Sequence, residues 1–166
     1  MYLLMQVYGF TLDSIAQMPV VILKDAEEKH TLPIWINSLE AVSIAAEMIG
    51  RDVSVESGCA DLLTKLLAQM NWKVDKITID DLKDGVFDAT ILFACEAEVV
   101  KVTARPSEAL VMALKYGMPL HISLHVLAKA ATVQASDEII FDDTDGRRFV
   151  DFLENLDPKD LGRYPM

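Results

Sequence analysis

Apolar and polar positions along the first third of the chain alternate in a way that predicts strands. Tyr2 to Phe10 reads as a first strand. Pro19 to Lys24 is short, apolar and rich in β-branched residues. The polar run Asp25-Ala26-Glu27-Glu28-Lys29 turns it back into a strand over Thr31 to Ile36. The period then changes. Ala41, Ile44, Ala45 and Met48 fall at helical spacing, Asn37 or Ser38 supplies a cap, and Gly50 a stop, so a helix is predicted to about Ile49. Asp52 to Glu56 reads as a linker. Leu62, Leu63, Leu66, Leu67 and Met70 make one apolar face of a second helix from about Ser57 to Met70.

The second half repeats this order. Trp72 to Ile79 alternates as a strand, and Asp80-Asp81-Leu82-Lys83-Asp84-Gly85 reads as a polar turn. Val86 to Cys95 and Glu98 to Thr103 are two more strands. Pro106 suits a first helical position, and the helix it opens stops at Gly117. Pro119 to Ser123 is a short strand, and His125 to Ala131 a short helix. Beyond it, Asp142 to Gly146 turns into a short amphipathic helix carrying Phe149, Phe152, Leu153 and Leu156.

The two halves match at particular residues. Glu40, Ala41, Ala45 and Gly50 answer to Glu108, Ala109, Ala113 and Gly117, and Ile22 answers to Ile91, at an offset of 67 to 69 positions. So small a drift predicts a duplicated unit. The expected fold class is α+β: a duplicated β-β-β-α unit with antiparallel or mixed sheets and flanking helices. Residues 1–131 are expected to form the domain and 132–166 an acidic extension.

Composition narrows the setting. The 166 residues are 52% hydrophobic, enough for a sizeable core. No apolar run approaches the roughly 20 residues that span a bilayer, so no membrane is expected. The N-terminus has no basic region and reads as carrying no signal peptide. Cys59 and Cys95 are the only cysteines, which points to a reducing cytoplasm. The net charge is −11. Such a chain repels nucleic acid at long range, which disfavours a nucleic-acid partner without excluding one.

Arg105 is the residue that local structure explains least. A positive charge just before a helix start faces the positive end of the helix dipole and needs an acidic partner, either a bound phosphate or an internal carboxylate such as Glu108 or Glu40. The glutamates themselves fit helix capping: Asn37-x-x-Glu40 is close to a capping box, and Glu108 holds the same third position. Asp80, Asp81, Asp84 and Asp88 could ligate a hard cation, but Asp is common in turns for its own backbone hydrogen bonds. His121 and His125 are four apart, yet on a strand that separates them too far for one zinc ion.

The chain resembles the bifunctional nuclease domain family. The matching text is Pro19 to Asp25, Leu32-Pro33-Ile34-Trp35-Ile36, Glu40-Ala41 and Asp61-Leu62-Leu63. It continues with Ile79-Asp80-Asp81-Leu82 and Ala104-Arg105-Pro106-Ser107-Glu108-Ala109. The resemblance spans about residues 2–131. It implies an α+β fold with a duplicated strand-rich unit, a homodimer, and nuclease activity on DNA and RNA. Arg105, Glu108, Glu40 and Asp61 are the catalytic candidates. Ser107, Lys24 and Trp35, within the matching motifs, are the substrate-binding candidates. No metal ligand is assigned, although a divalent cation such as Mg²⁺ or Mn²⁺ would suit the carboxylates.

Five positions depart from the family pattern. Asn37 stands for its usual Gly, and Glu56 and Ala60 for its usual Arg and His. Thr103 replaces an Asp, and the acid at 108 is Glu. These substitutions and the net charge count against activity. Two readings follow: a nuclease, or a non-catalytic binding or regulatory module that retains the fold.

Overall fold

The computed structural model describes residues 1–13, 15–50 and 58–134, except the side chains of residues 49–50, 58–61 and 132–134. The extension expected after residue 131 therefore lies almost wholly outside the described residues, as does the linker at 52–56.

Three strands open the chain: β1 (Tyr2–Asp13), β2 (Met18–Asp25) and β3 (Thr31–Trp35). Two helices follow, α1 (Ser38–Gly50) and α2 (Gly58–Gln69). Three more strands, β4 (Lys73–Lys83), β5 (Val86–Ala94) and β6 (Val99–Ala104), lead to α3 (Pro106–Tyr116). The described part closes with β7 (Leu120–Ser123) and α4 (Leu124–Gln134). Helices and strands together make the α+β class expected, and three strands followed by a helix occur twice in the order of elements.

All seven strands form one mixed sheet in the order β3-β2-β1-β7-β4-β5-β6. Each three-strand meander is antiparallel. Strand β7 joins the two, antiparallel to β1 through Leu4↔His121 and parallel to β4 through Thr78↔His121. One face of the sheet carries Met5, Leu23, Ile34, Ile77, Ile79 and Ile122, all without solvent exposure. Helix residues Ala41, Ile44, Leu110 and Val126 join the same core cluster. Helices α1 and α3 pack against each other. Ala41, Ala45, Ala109 and Ala113, the alanines that recur in the two halves, are all buried. Their small side chains let the two backbones approach closely.

The structure differs from the sequence reading in two places. Strand β4 runs on through Asp80 to Lys83, where a polar turn was expected, and the reversal is confined to Asp84 and Gly85. Both have positive φ, 50° and 79°, as an Asp-Gly type I′ hairpin requires. The polar residues before it are strand residues beside an irregularity between Ile79 and Asp81. In α2 the apolar stripe is wider than its buried face. Leu63 and Leu67 pack against the core, while Leu62, Leu66 and Met70 are exposed.

Candidate functional site

The site is built by two helix starts. In α1, the Asn37 side-chain oxygen accepts the Glu40 N–H at 2.9 Å, and Glu40 Oε2 accepts the Asn37 N–H at 3.1 Å. This reciprocal pair satisfies donors that a helix start leaves unpaired. In α3, Arg105 is extended (φ −74°, ψ 155°), Pro106 opens the helix, and Glu108 Oε2 accepts the Arg105 N–H at 2.8 Å. Gly117 ends α3 in the left-handed conformation, φ 62°. The capping roles expected for both glutamates are therefore present.

Because α1 and α3 lie side by side, these starts converge. The buried Ser107 hydroxyl donates to Glu40 Oε1 at 2.7 Å, joining the two helices. The Arg105 guanidinium lies between the carboxylates: Nη2 donates to Glu108 Oε1 at 3.1 Å, and Nη1 is 3.6 Å from Glu40 Oε1. Arg105 thus has the internal acidic partners its position demands. Its side chain is nonetheless 68% exposed. Glu40 is the shielded member, with 21% of its side chain exposed.

The cluster forms the polar end of a cleft of about 670 Å³. Glu40, Ser43 and Glu47 line it from α1, and Arg105, Ser107 and Glu108 from α3. Leu63, Ile91, Val102, Val111 and Met112 make an apolar wall. The Arg105 N–H, outweighing partial burial, and then the guanidinium hold the Glu108 carboxyl below its usual value. Glu108 is therefore an ionised anchor and a weak proton acceptor. Glu108 and then Glu40 in turn raise the Arg105 pKa, so its charge is permanent.

The bifunctional nuclease domain matches residues 21–135 of this chain. The chain belongs to the bifunctional nuclease domain family. Two uncharacterized proteins from two strains of Mycobacterium tuberculosis are each 31% identical to it over 161 residues, which cover 94% of this chain and 96% of each relative.

Within this bifunctional nuclease domain, the other predicted positions separate. Lys24 lies on β2, its ammonium 3.6 Å from the centroid of the Tyr8 ring and 3.4 Å from Glu28. The Trp35 indole N–H donates to Asp13 Oδ2 at 2.9 Å. Neither lines the cleft. Asp61 belongs to α2, but its side chain lies outside the described residues. So do Glu56 and the side chain of Ala60, two of the departures from the family pattern. Thr103, a third departure, lines the cleft beside Arg105.

Sequence reasoning missed Ser43 and Glu47. Their signal was available: with Glu40 they stand at i, i+3 and i+7, one polar stripe on α1.

The acidic positions on β4 and β5 are engaged structurally. Asp80 accepts hydroxyls from Tyr2, Thr78 and Thr90 at 2.9, 2.9 and 2.7 Å. Asp81 Oδ1 accepts the Lys129 ammonium at 2.9 Å, and Lys83 bridges Asp81 and Asp88. His121 and His125 fall on β7 and α4, and His125 faces Asp81 at 3.6 Å. Among the described residues no group of three acidic, His or Cys side chains could hold a metal ion. At the cleft, the guanidinium occupies the position from which a cation would bridge Glu40 and Glu108. The described residues therefore do not fit a divalent cation.

Proposed function

We propose that this cleft binds a phosphodiester at Arg105 and that the protein is a nuclease. The observation that carries the reading is the convergence of Arg105, Ser107, Glu40 and Glu108 in the lining of one cleft, at two helix starts. Hydrolysis of a phosphodiester needs a group that holds the phosphate, charge stabilisation as the bond breaks, and a base for the attacking water. Arg105 supplies the first two through a guanidinium matched to phosphate oxygens. Its ion pairs are solvent-exposed, and such pairs are weak, so a phosphate can compete for it. Glu40 is placed to take the proton from water, because Asn37 and Ser107 fix its carboxylate. Glu108 holds the Arg105 backbone.

One observation favours the non-catalytic reading. Arg105 is already matched by Glu40 and Glu108, and Glu47 adds a third carboxylate to the cleft. On that reading, three carboxylates against one guanidinium disfavour a phosphate. Cleavage of single-stranded DNA and RNA, with Mg²⁺, with Mn²⁺ and with EDTA, decides between the two. The nuclease reading expects activity that survives EDTA and falls at least about tenfold in Arg105→Ala. Absence of cleavage in every condition supports a binding module, and equal cleavage by both proteins places the chemistry elsewhere.

The family resemblance adds a homodimer to this proposal, and the pair of cysteines adds a cytoplasmic setting. The exposed stripe of Leu62 and Leu66 on α2, continued by Met70 just past its end, supports the dimer. No helix among the described residues is long and apolar enough to cross a membrane.

A further inference from the structure

The two edges of the sheet are unlike. Edge strand β3 is protected: Leu32, Pro33 and Ile34 are buried, and proline removes a donor from the strand. Among the described residues, no strand pairs with the outer side of edge strand β6. Val99 to Thr103 are all exposed, and Val99, Val100 and Val102 are 64%, 42% and 42% exposed. It carries no proline, and its pairing with β5 runs without a bulge from Ala89↔Ala104 to Ala94↔Val99. A long, regular, β-branched edge of this kind leaves a row of backbone donors and acceptors open to another strand. Lys101 is its one charged residue.

We infer that β6 is a docking edge for an extended, basic polypeptide segment with apolar residues at alternate positions. A strand added to β6 directs alternate side chains to opposite faces of the sheet. On the helix side they enter the cleft, which Val102 lines together with Leu63, Val111 and Met112. The charges fix the sign of the partner. Glu40, Glu47 and Glu108 line the cleft, and Glu96 and Glu98 are exposed in the turn that leads into β6. Arg105 and Lys101 are the cations on the cleft lining and the strand. Basic side chains at the ends or flanks of the segment complement this surplus of carboxylates. A second copy of this chain brings a net charge of −11 against the same surface and is the poorer match. The inference does not depend on whether the polar end of the cleft hydrolyses phosphodiesters.

The test is fluorescence anisotropy with a labelled synthetic peptide of alternating valine and lysine, about eight residues long. Hydrogen exchange is read in parallel on the β6 amides. The expected result is saturable binding and slowed exchange confined to residues 99–104. Affinity should fall at least about tenfold in Val100→Lys and Val102→Lys, and with an alternating valine–glutamate peptide. Both valines are exposed, and unchanged melting curves verify that the variants fold. Three results overturn the inference. One is no binding. Another is equal binding of a peptide with all its lysines grouped, without slowed exchange in β6. The third is protection of β6 that rises with protein concentration alone and disappears in Val102→Lys, which assigns the edge to a second copy.

Discussion

Arg105 and Asp80 show two ways a charged residue is held. Arg105 is exposed and shares its charge between two carboxylates, so a competing anion can reach it. Asp80 is clasped by three hydroxyls from β1, β4 and β5. Partial burial raises its pKa, but the Thr90, Thr78 and Tyr2 hydroxyls and then Lys101 outweigh it and leave the carboxyl below its ordinary value. In the unfolded chain the same group titrates near about 3.9. Its stabilisation is therefore fully present above that pH and is lost as pH falls through the lower native value. Asp80→Asn removes the charged acceptor from three donors and should cost roughly 1–3 kcal/mol at neutral pH. Urea melts of both proteins from pH 7 to pH 3 should show the gap narrowing below about pH 4. A gap that stays constant with pH contradicts the role given to the charge.

Elements were legible where period and punctuation agreed. The Asn37/Glu40 start of α1, the Pro106 start of α3 and the Gly117 stop were written locally, because caps and prolines act within one turn. Gly117 has a φ of 62°, which an alanine adopts only with strain. Gly117→Ala should lower stability by about 1 kcal/mol in a thermal melt, and an unchanged melting temperature contradicts the capping account. The end of β4 was misread because a run of Asp and Lys looks like a turn, while the Asp84-Gly85 pair was the sharper signal. The convergence of Ser107 on Glu40 was not legible. It joins residues 67 positions apart and depends on how α1 crosses α3. The repeated alanines hinted at that packing, but no sequence rule places two helix starts within hydrogen-bonding distance.

At the scale of the described residues, the molecule is one mixed sheet with helices packed on its core face, joined at its centre by β7. Net charge and exposed apolar surface govern what it meets. The stripe of Leu62 and Leu66 on α2, with Met70 just past its end, is the surface proposed for the homodimer, which leaves the β6 edge to another partner. Leu66→Lys should shift sedimentation from dimer to monomer while leaving the melting curve of the core unchanged. A wild-type protein that sediments as a monomer at all concentrations contradicts the dimer.

The central claim is that Glu40 and Arg105 divide the work of one phosphodiesterase site. Steady-state cleavage of a single-stranded oligonucleotide by Glu40→Gln protein tests it most directly. Glutamine keeps one acceptor oxygen for the Asn37 N–H and turns its NH2 to Ser107, whose hydroxyl can rotate to accept, but it cannot take a proton from water. The account predicts that kcat falls by about 100-fold or more with KM nearly unchanged. A Glu40→Gln protein as active as the wild type contradicts it.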